Sequence, residues 1–225
     1  MLRLSLLVCL VLSAAAFVTS VQHGNWTLVF RGQRDINQAV TDRWLSNNMH
    51  DDNPVSPSLA VHCYRLDMVI SCPIHFRSHI LDKWSNIDKV KFAIYNAGSE
   101  VKSIIFNGTR TTRINWFQKS RVLSSSWSSL DNDTGIVDFA FNSRQGPPQK
   151  RRFAINTYGG CQGDTTYFEI FDTAYDGCMT TYKLSLETYP RFLYSPFEAR
   201  VRISAGPTVY KLADIFAVFV QFTAP

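Results

Sequence analysis

The stretch from Asp88 to Phe106 constrains the fold more than any other. Residues 88–95 (DKVKFAIY) alternate, with Val90, Phe92 and Ile94 on one side and Lys89, Lys91 and Ala93 on the other. Successive side chains of a strand point to opposite faces, so this pattern specifies a strand with one buried face. Asn96-Ala97-Gly98-Ser99 supplies a turn, Val101 to Phe106 pairs back, and Asn107-Gly108 turns again. That is the grammar of a β-hairpin. Further strands are expected at Trp26–Arg31, Ile136–Asn142, Arg151–Tyr158, Thr166–Phe171, Ala199–Ile203 and Asp214–Phe222, and Leu59–Cys72 reads as two short strand-like runs. Eight to ten short strands between turn signals predict a mainly β fold. The expected architecture is antiparallel, a sandwich-like arrangement or a curled sheet with one or two short helices. Asp35 is placed to cap a helix running through Trp44 and Leu45, with Ile36, Val40, Trp44 and Leu45 on one face. Ser78–Trp84 is expected to form a helical turn. Ile215–Phe222 carries Gln221 and is too short to span a bilayer, so it reads as a buried central strand.

The first twenty residues do not belong to that pattern. A basic start, Met1-Leu2-Arg3, leads into the apolar run Leu4–Phe17, and small residues close the segment at Ala14-Ala15-Ala16 and Val18-Thr19-Ser20. That order is the grammar of a secretory signal peptide, cleaved after Ala16 or Ser20. Residues 21–225 are then expected as a single β-rich secreted domain without a transmembrane segment. Loss of Arg3 takes the formal charge from +5 to +4. Composition excludes a disordered tail, a collagen, a coiled coil and a multi-span membrane protein.

Cys9 leaves with the signal, and Cys63, Cys72, Cys161 and Cys178 remain. Four cysteines in a secreted chain imply two disulfides with three pairings open. The local pairs Cys63–Cys72 and Cys161–Cys178 are favoured because each is close in sequence. Acceptor sequons at Asn25, Asn107 and Asn132 predict N-glycosylation at surface positions.

Candidate chemistry gathers in few places. Cys72-Pro73-Ile74-His75-Phe76-Arg77-Ser78-His79 holds two histidines four apart, near His62 and Cys63, in the manner of a zinc site. Paired thiols are unavailable as ligands, however, which leaves His75 and His79 as ordinary polar residues beside a loop, and no metal site is expected. Asp164, Glu169, Asp172 and Asp176 crowd the second cysteine loop. They lack the alternating spacing of a strong calcium site, so calcium is the one weak cofactor expectation and a solvated acidic loop the default. The nucleophile elbow Gly-x-Ser-x-Gly, the zinc-protease pattern His-Glu-x-x-His and the phosphate-cradling glycine loop are all missing from the sequence. No catalytic residue is assigned.

Gln149-Lys150-Arg151-Arg152 is the densest basic run. Three readings fit it: a processing site, a contact for acidic glycans through Lys150, Arg151 and Arg152, or a strand edge guarded by charge. The tryptophans divide similarly. Trp26 and Trp44 look like core, whereas Trp116 and Trp127 stand among polar neighbours and are expected at the surface, where aromatic rings can stack on sugars.

Several stretches resemble a loosely defined set of secreted proteins of marine invertebrates such as corals and molluscs. They are Asn25-Trp26-Thr27-Leu28-Val29-Phe30-Arg31, the segments 76–85, 115–117 and 151–161, and Ala213-Asp214-Ile215-Phe216-Ala217-Val218-Phe219. Together they run over most of the mature chain, and the resemblance implies a component of extracellular or skeletal organic matrix. A fainter likeness to fibrinogen-type C-terminal domains rests on the opening tryptophan strand, a late cysteine loop and aromatic richness. The calcium-loop pattern and cysteine spacing of that family are not matched, and no functional residue is carried over from it.

The expectation is therefore a non-enzymatic secreted glycoprotein acting in matrix or adhesion, in a mineralised setting if the resemblance holds. A net positive charge suits acidic polysaccharides, glycans or acidic matrix proteins as partners and does not suit carbonate mineral bound through carboxylates; no nucleic-acid partner is expected. Two alternatives are a lectin-like defence protein and a secreted hydrolase. Oligomeric state is not readable from the sequence.

Overall fold

A computed structural model describes residues 20–135, 138–142, 151–185 and 187–224. The expected signal segment up to residue 19, the loop 143–148 and Lys150 lie outside these residues.

Thirteen strands among the described residues form two antiparallel sheets. Chain order gives β1 (Val21–His23), β2 (Trp26–Gln33), β3 (Phe76–Arg77), β4 (Ile87–Asn96), β5 (Ser99–Asn107) and β6 (Val122–Ser125), all in the first sheet. The second sheet follows with β7 (Asp138–Asn142), β8 (Arg151–Thr157), β9 (Thr165–Phe171), β10 (Arg191–Tyr194), β11 (Val201–Arg202) and β12 (Lys211–Ala213). β13 (Ile215–Phe222) returns to the first sheet and lies between β2 and β4.

The expected hairpin is β4–β5, paired from Lys89↔Asn107 to Asn96↔Ser99 with a bulge between Ile94 and Tyr95. Gly98 closes its turn at φ +78°, and a Cβ there would stand 2.7 Å from the Asp67 carbonyl oxygen, so only glycine fits. β13 is the buried central strand that its composition predicts, with Ile215 to Val220 all buried.

The two sheets pack through aromatic rings. Phe92 meets Phe168 at 4.8 Å between centroids, and Phe216 meets Phe153 at 4.8 Å. Edge-on and tilted rings at such distances stabilise a core beyond the area they bury. Trp116 and Trp127 belong to this core and are fully buried, against the expectation of a sugar-stacking surface. Each turns its ring inward from a polar segment and satisfies its indole N–H on a carbonyl, Trp116 on Arg113 at 3.1 Å and Trp127 on Ser195 at 3.0 Å. Trp44 is core as expected, whereas Trp26 is only half-buried.

Each sheet also carries a cover on its outer face. Leu66, with Val55, Leu59 and Tyr64 beside it, packs over the first sheet, where the buried Arg31 donates from Nε to the Arg65 carbonyl at 2.9 Å. Residues 59–72 are therefore not strands. They form a 3-10 turn at Val61–Cys63 and a loop whose backbone bonds are local, as in Cys63 N–H to Ala60 O at 2.8 Å. Cys178, Tyr182, Leu184, Ile203 and Tyr210 cover the second sheet. Both favoured disulfides are formed, Cys63–Cys72 in the first cover and Cys161–Cys178 in the second.

The helix expected from Asp35 begins later, as α1 (Val40–Leu45). Asp35 instead sits at φ 65° and pairs with Arg191 at 2.8 Å. The expected turn near Ser78 is a 3-10 turn at His79–Leu81, capped by the Ser78 hydroxyl.

Candidate functional site

Within the basic run, Arg151 does not present its charge at the surface. Arg151 has no exposed surface, and its guanidinium lies beneath the second cover. It donates through Nε to Asp176 at 2.9 Å, through Nη1 to Asp164 at 2.9 Å and through Nη2 to the Tyr182 hydroxyl at 3.0 Å. Glu169 stands 3.7 Å from Nη1, and the rings of Phe171 and Tyr182 flank the guanidinium at 5.2 Å. Strand alternation explains the placement. Arg151 and Glu169 both point from their strands to the outer face of the second sheet, where Phe171 also lies. Arg151 is thus removed from the polyanion contact. Arg152 is half-buried and donates to Thr41 Oγ1 at 2.9 Å.

This cage also accounts for three of the four acidic residues considered for calcium. Asp164, Glu169 and Asp176 surround a guanidinium, which occupies the place a cation would take. Burial, reinforced by Asp164 and Asp176, pushes the Glu169 carboxyl up to about 7 despite Arg151 beside it. The fourth, Asp172, reaches across to α1 and accepts from Val40 N–H at 2.7 Å, Thr41 N–H at 2.9 Å and Thr41 Oγ1 at 2.6 Å. Burial raises its carboxyl to about 6, against the pull of those hydrogen bonds.

The paired histidines separate. Both ring nitrogens of buried His75 are engaged, Nδ1 accepting from Gln33 N–H at 3.0 Å and Nε2 donating to Gln38 O at 2.9 Å. Burial holds its pKa down at about 4. His79 turns the other way, toward Asp52 and His50. Of the sequons, Asn25 and Asn132 are exposed, and Asn107 is half-buried with its Oδ1 accepting from Thr109 N–H at 2.9 Å.

Among the clefts of the described residues, two are candidate binding surfaces here. One, of about 350 Å³, lies at the β10–β12 edge of the second sheet, with Lys183, Arg191 and Lys211 around Leu184, Pro207, Tyr210 and Leu212. Among the described residues, no carboxylate lines it. The sheet assembles it: Tyr194 pairs with Lys211 in register, and the Tyr210 hydroxyl donates to the Tyr182 carbonyl at 3.0 Å, fixing Lys183 nearby. Lys183 and Lys211 are exposed, whereas Arg191 is held by Asp35. The three cations are scattered over 29 positions, counting from 183 to 211, so no basic run announces them. The other cleft, of about 500 Å³, lies beside α1 and is lined by Asn37, Gln38, Asp42, Arg43 and Tyr189, with Met49 and Ile74 as apolar walls.

The fold and these surfaces define the class: an antiparallel, sandwich-like β protein with two disulfide-tied covers. Comparison with protein-family models, with curated proteins and with solved structures finds no match. No helix among the described residues is long and apolar enough to cross a membrane.

Proposed function

We propose that this chain is a secreted, non-catalytic glycoprotein that binds acidic polysaccharide or acidic protein in an extracellular matrix, a mineralised one included. The observation that carries the reading is the cleft bearing Lys183, Arg191 and Lys211 with no carboxylate in its lining. Cations converging on a concave surface attract anions and concentrate them. The non-catalytic part draws support from where the perturbed acids are. Glu169 and Asp172 are sunk under the second cover and at α1, engaged with Arg151 and with a helix end, and neither lines the two clefts described above. Disulfides in both covers support an oxidising, extracellular location.

A heparin column tests the reading. The protein is expected to be retained and to elute with rising salt, because exposed charges are screened. Lys183→Gln with Lys211→Gln should elute at clearly lower salt, while Arg152→Gln should elute with the parent. Unchanged retention of the lysine variant would overturn the assignment. The lectin reading has its own observation in the α1 cleft, where amides, Asp42 and Tyr189 offer hydrogen bonds and a ring to a neutral sugar. Glycan-array binding that survives loss of both lysines but not Asp42→Ala would select it instead.

A further inference from the structure

We propose that His50 and His79 form a two-histidine site for a divalent transition-metal ion, with Asp52 as the residue that positions both rings. Neutral imidazole binds such a cation through one nitrogen, and the other must be a donor with a partner. That requirement is met twice around one residue. His50 Nδ1 lies 2.6 Å from the Asp52 carbonyl oxygen, and His79 Nδ1 lies 3.0 Å from Asp52 Oδ1. A carbonyl and a carboxylate only accept, so both rings carry their proton on Nδ1 and leave the Nε2 lone pair available. Neither Nε2 has a hydrogen bond among the described residues. The ring centroids are 6.1 Å apart. With metal–nitrogen bonds of about 2.0–2.1 Å, each centroid stands about 3 Å from a bound ion, so two rings on one tetrahedral ion lie about 5 Å apart. The pair stands about 1 Å wider than that, so exposed His50 must swing toward His79 to close on an ion.

Charge gives a second, independent reason. Asp52 is 1% exposed and its Oδ2 has no hydrogen-bond partner among the described residues, while its Oδ1 accepts from His79 N–H at 2.7 Å and from the neutral His79 ring at 3.0 Å. The neighbouring Asp51 is matched instead by Arg43 at 2.7 Å. A buried carboxylate without a cation is costly. A metal ion on His79 Nε2 completes a carboxylate–histidine–metal relay and offsets that charge through the ring. No group of three or more His, Cys, Asp or Glu among the described residues is arranged to hold a metal. The ion is therefore held by two protein ligands, and water fills its remaining positions.

Calorimetric titration of untagged protein with zinc chloride at neutral pH tests the site. One equivalent should bind. His50→Ala and His79→Ala should each weaken binding at least tenfold, Asp52→Asn should weaken it severalfold, and His62→Ala should leave it unchanged. His50 is exposed, so its variant should retain the parent's circular dichroism and melting temperature. Failure of the parent to bind zinc, or binding that His50→Ala and His79→Ala leave intact, would overturn the proposal.

Discussion

Arg151 is surrounded by three carboxylates, so its neighbourhood holds more buried negative charge than positive. Retaining a proton on Glu169 relieves the excess, in keeping with a carboxyl raised from 4.5 to about 7. In the unfolded chain that proton leaves near 4.5, and in the folded chain near 7. The group's contribution to stability is therefore complete below about pH 4.5 and is lost as the pH rises through 7. Glu169→Gln, which cannot ionise, should match the parent's unfolding free energy near pH 4.5 and exceed it by about 2–3 kcal/mol at pH 8. Urea denaturation of both proteins across that range is the measurement, and parallel curves would contradict the protonation argument. Comparing the two proteins also cancels the opposite contribution of His75, whose pKa of about 4 removes stability as the pH falls below 6.5.

At the scale of elements, α1 depends on a residue 131 positions away from Thr41. The helix has six residues and Ala39 as its N-cap, which provides no side-chain bond, and Asp172 at the end of β9 satisfies its first amides instead. Asp172→Ala should lower stability by about 2 kcal/mol, at the upper end for a lost cap because a hydroxyl bond is lost as well. Amide hydrogen exchange at Val40 and Thr41 should speed up selectively, and uniform protection would argue against it. This contact shows where sequence reading stops. The β4–β5 hairpin, the central β13 and the two local disulfides were legible because alternation, turn residues and short spacing are local signals. The helix start was not, because its cap comes from another sheet. Arg151 was misread as surface because nothing local tells that a cover of Cys178, Tyr182, Leu184, Ile203 and Tyr210 lies over the outer face of β8. Trp116 and Trp127 were misplaced for the converse reason, since polar neighbours do not stop a loop from turning one ring inward. The cleft holding Lys183, Arg191 and Lys211 exists only through pairing between distant strands.

For the whole molecule, the covers and the sheets form four layers: cover, sheet, sheet, cover. Each disulfide lies in a cover and closes a short loop, of 9 or 17 residues' separation. Loop-closure entropy makes each worth roughly 3 kcal/mol. Replacing either pair by alanine should lower the urea-unfolding free energy by about that much, and the two losses should add because the bridges belong to separate covers. Strong non-additivity would mean that the covers communicate through the core. The position of β13 carries a consequence in time. A ribosome delivers β2 and β4 well before residues 215–222, yet those strands meet only through β13. Until β13 arrives, the edges of β2 and β4 that it covers stay open to pairing with other nascent chains. Closure of the first sheet therefore waits on β13, the strand that joins β2 to β4.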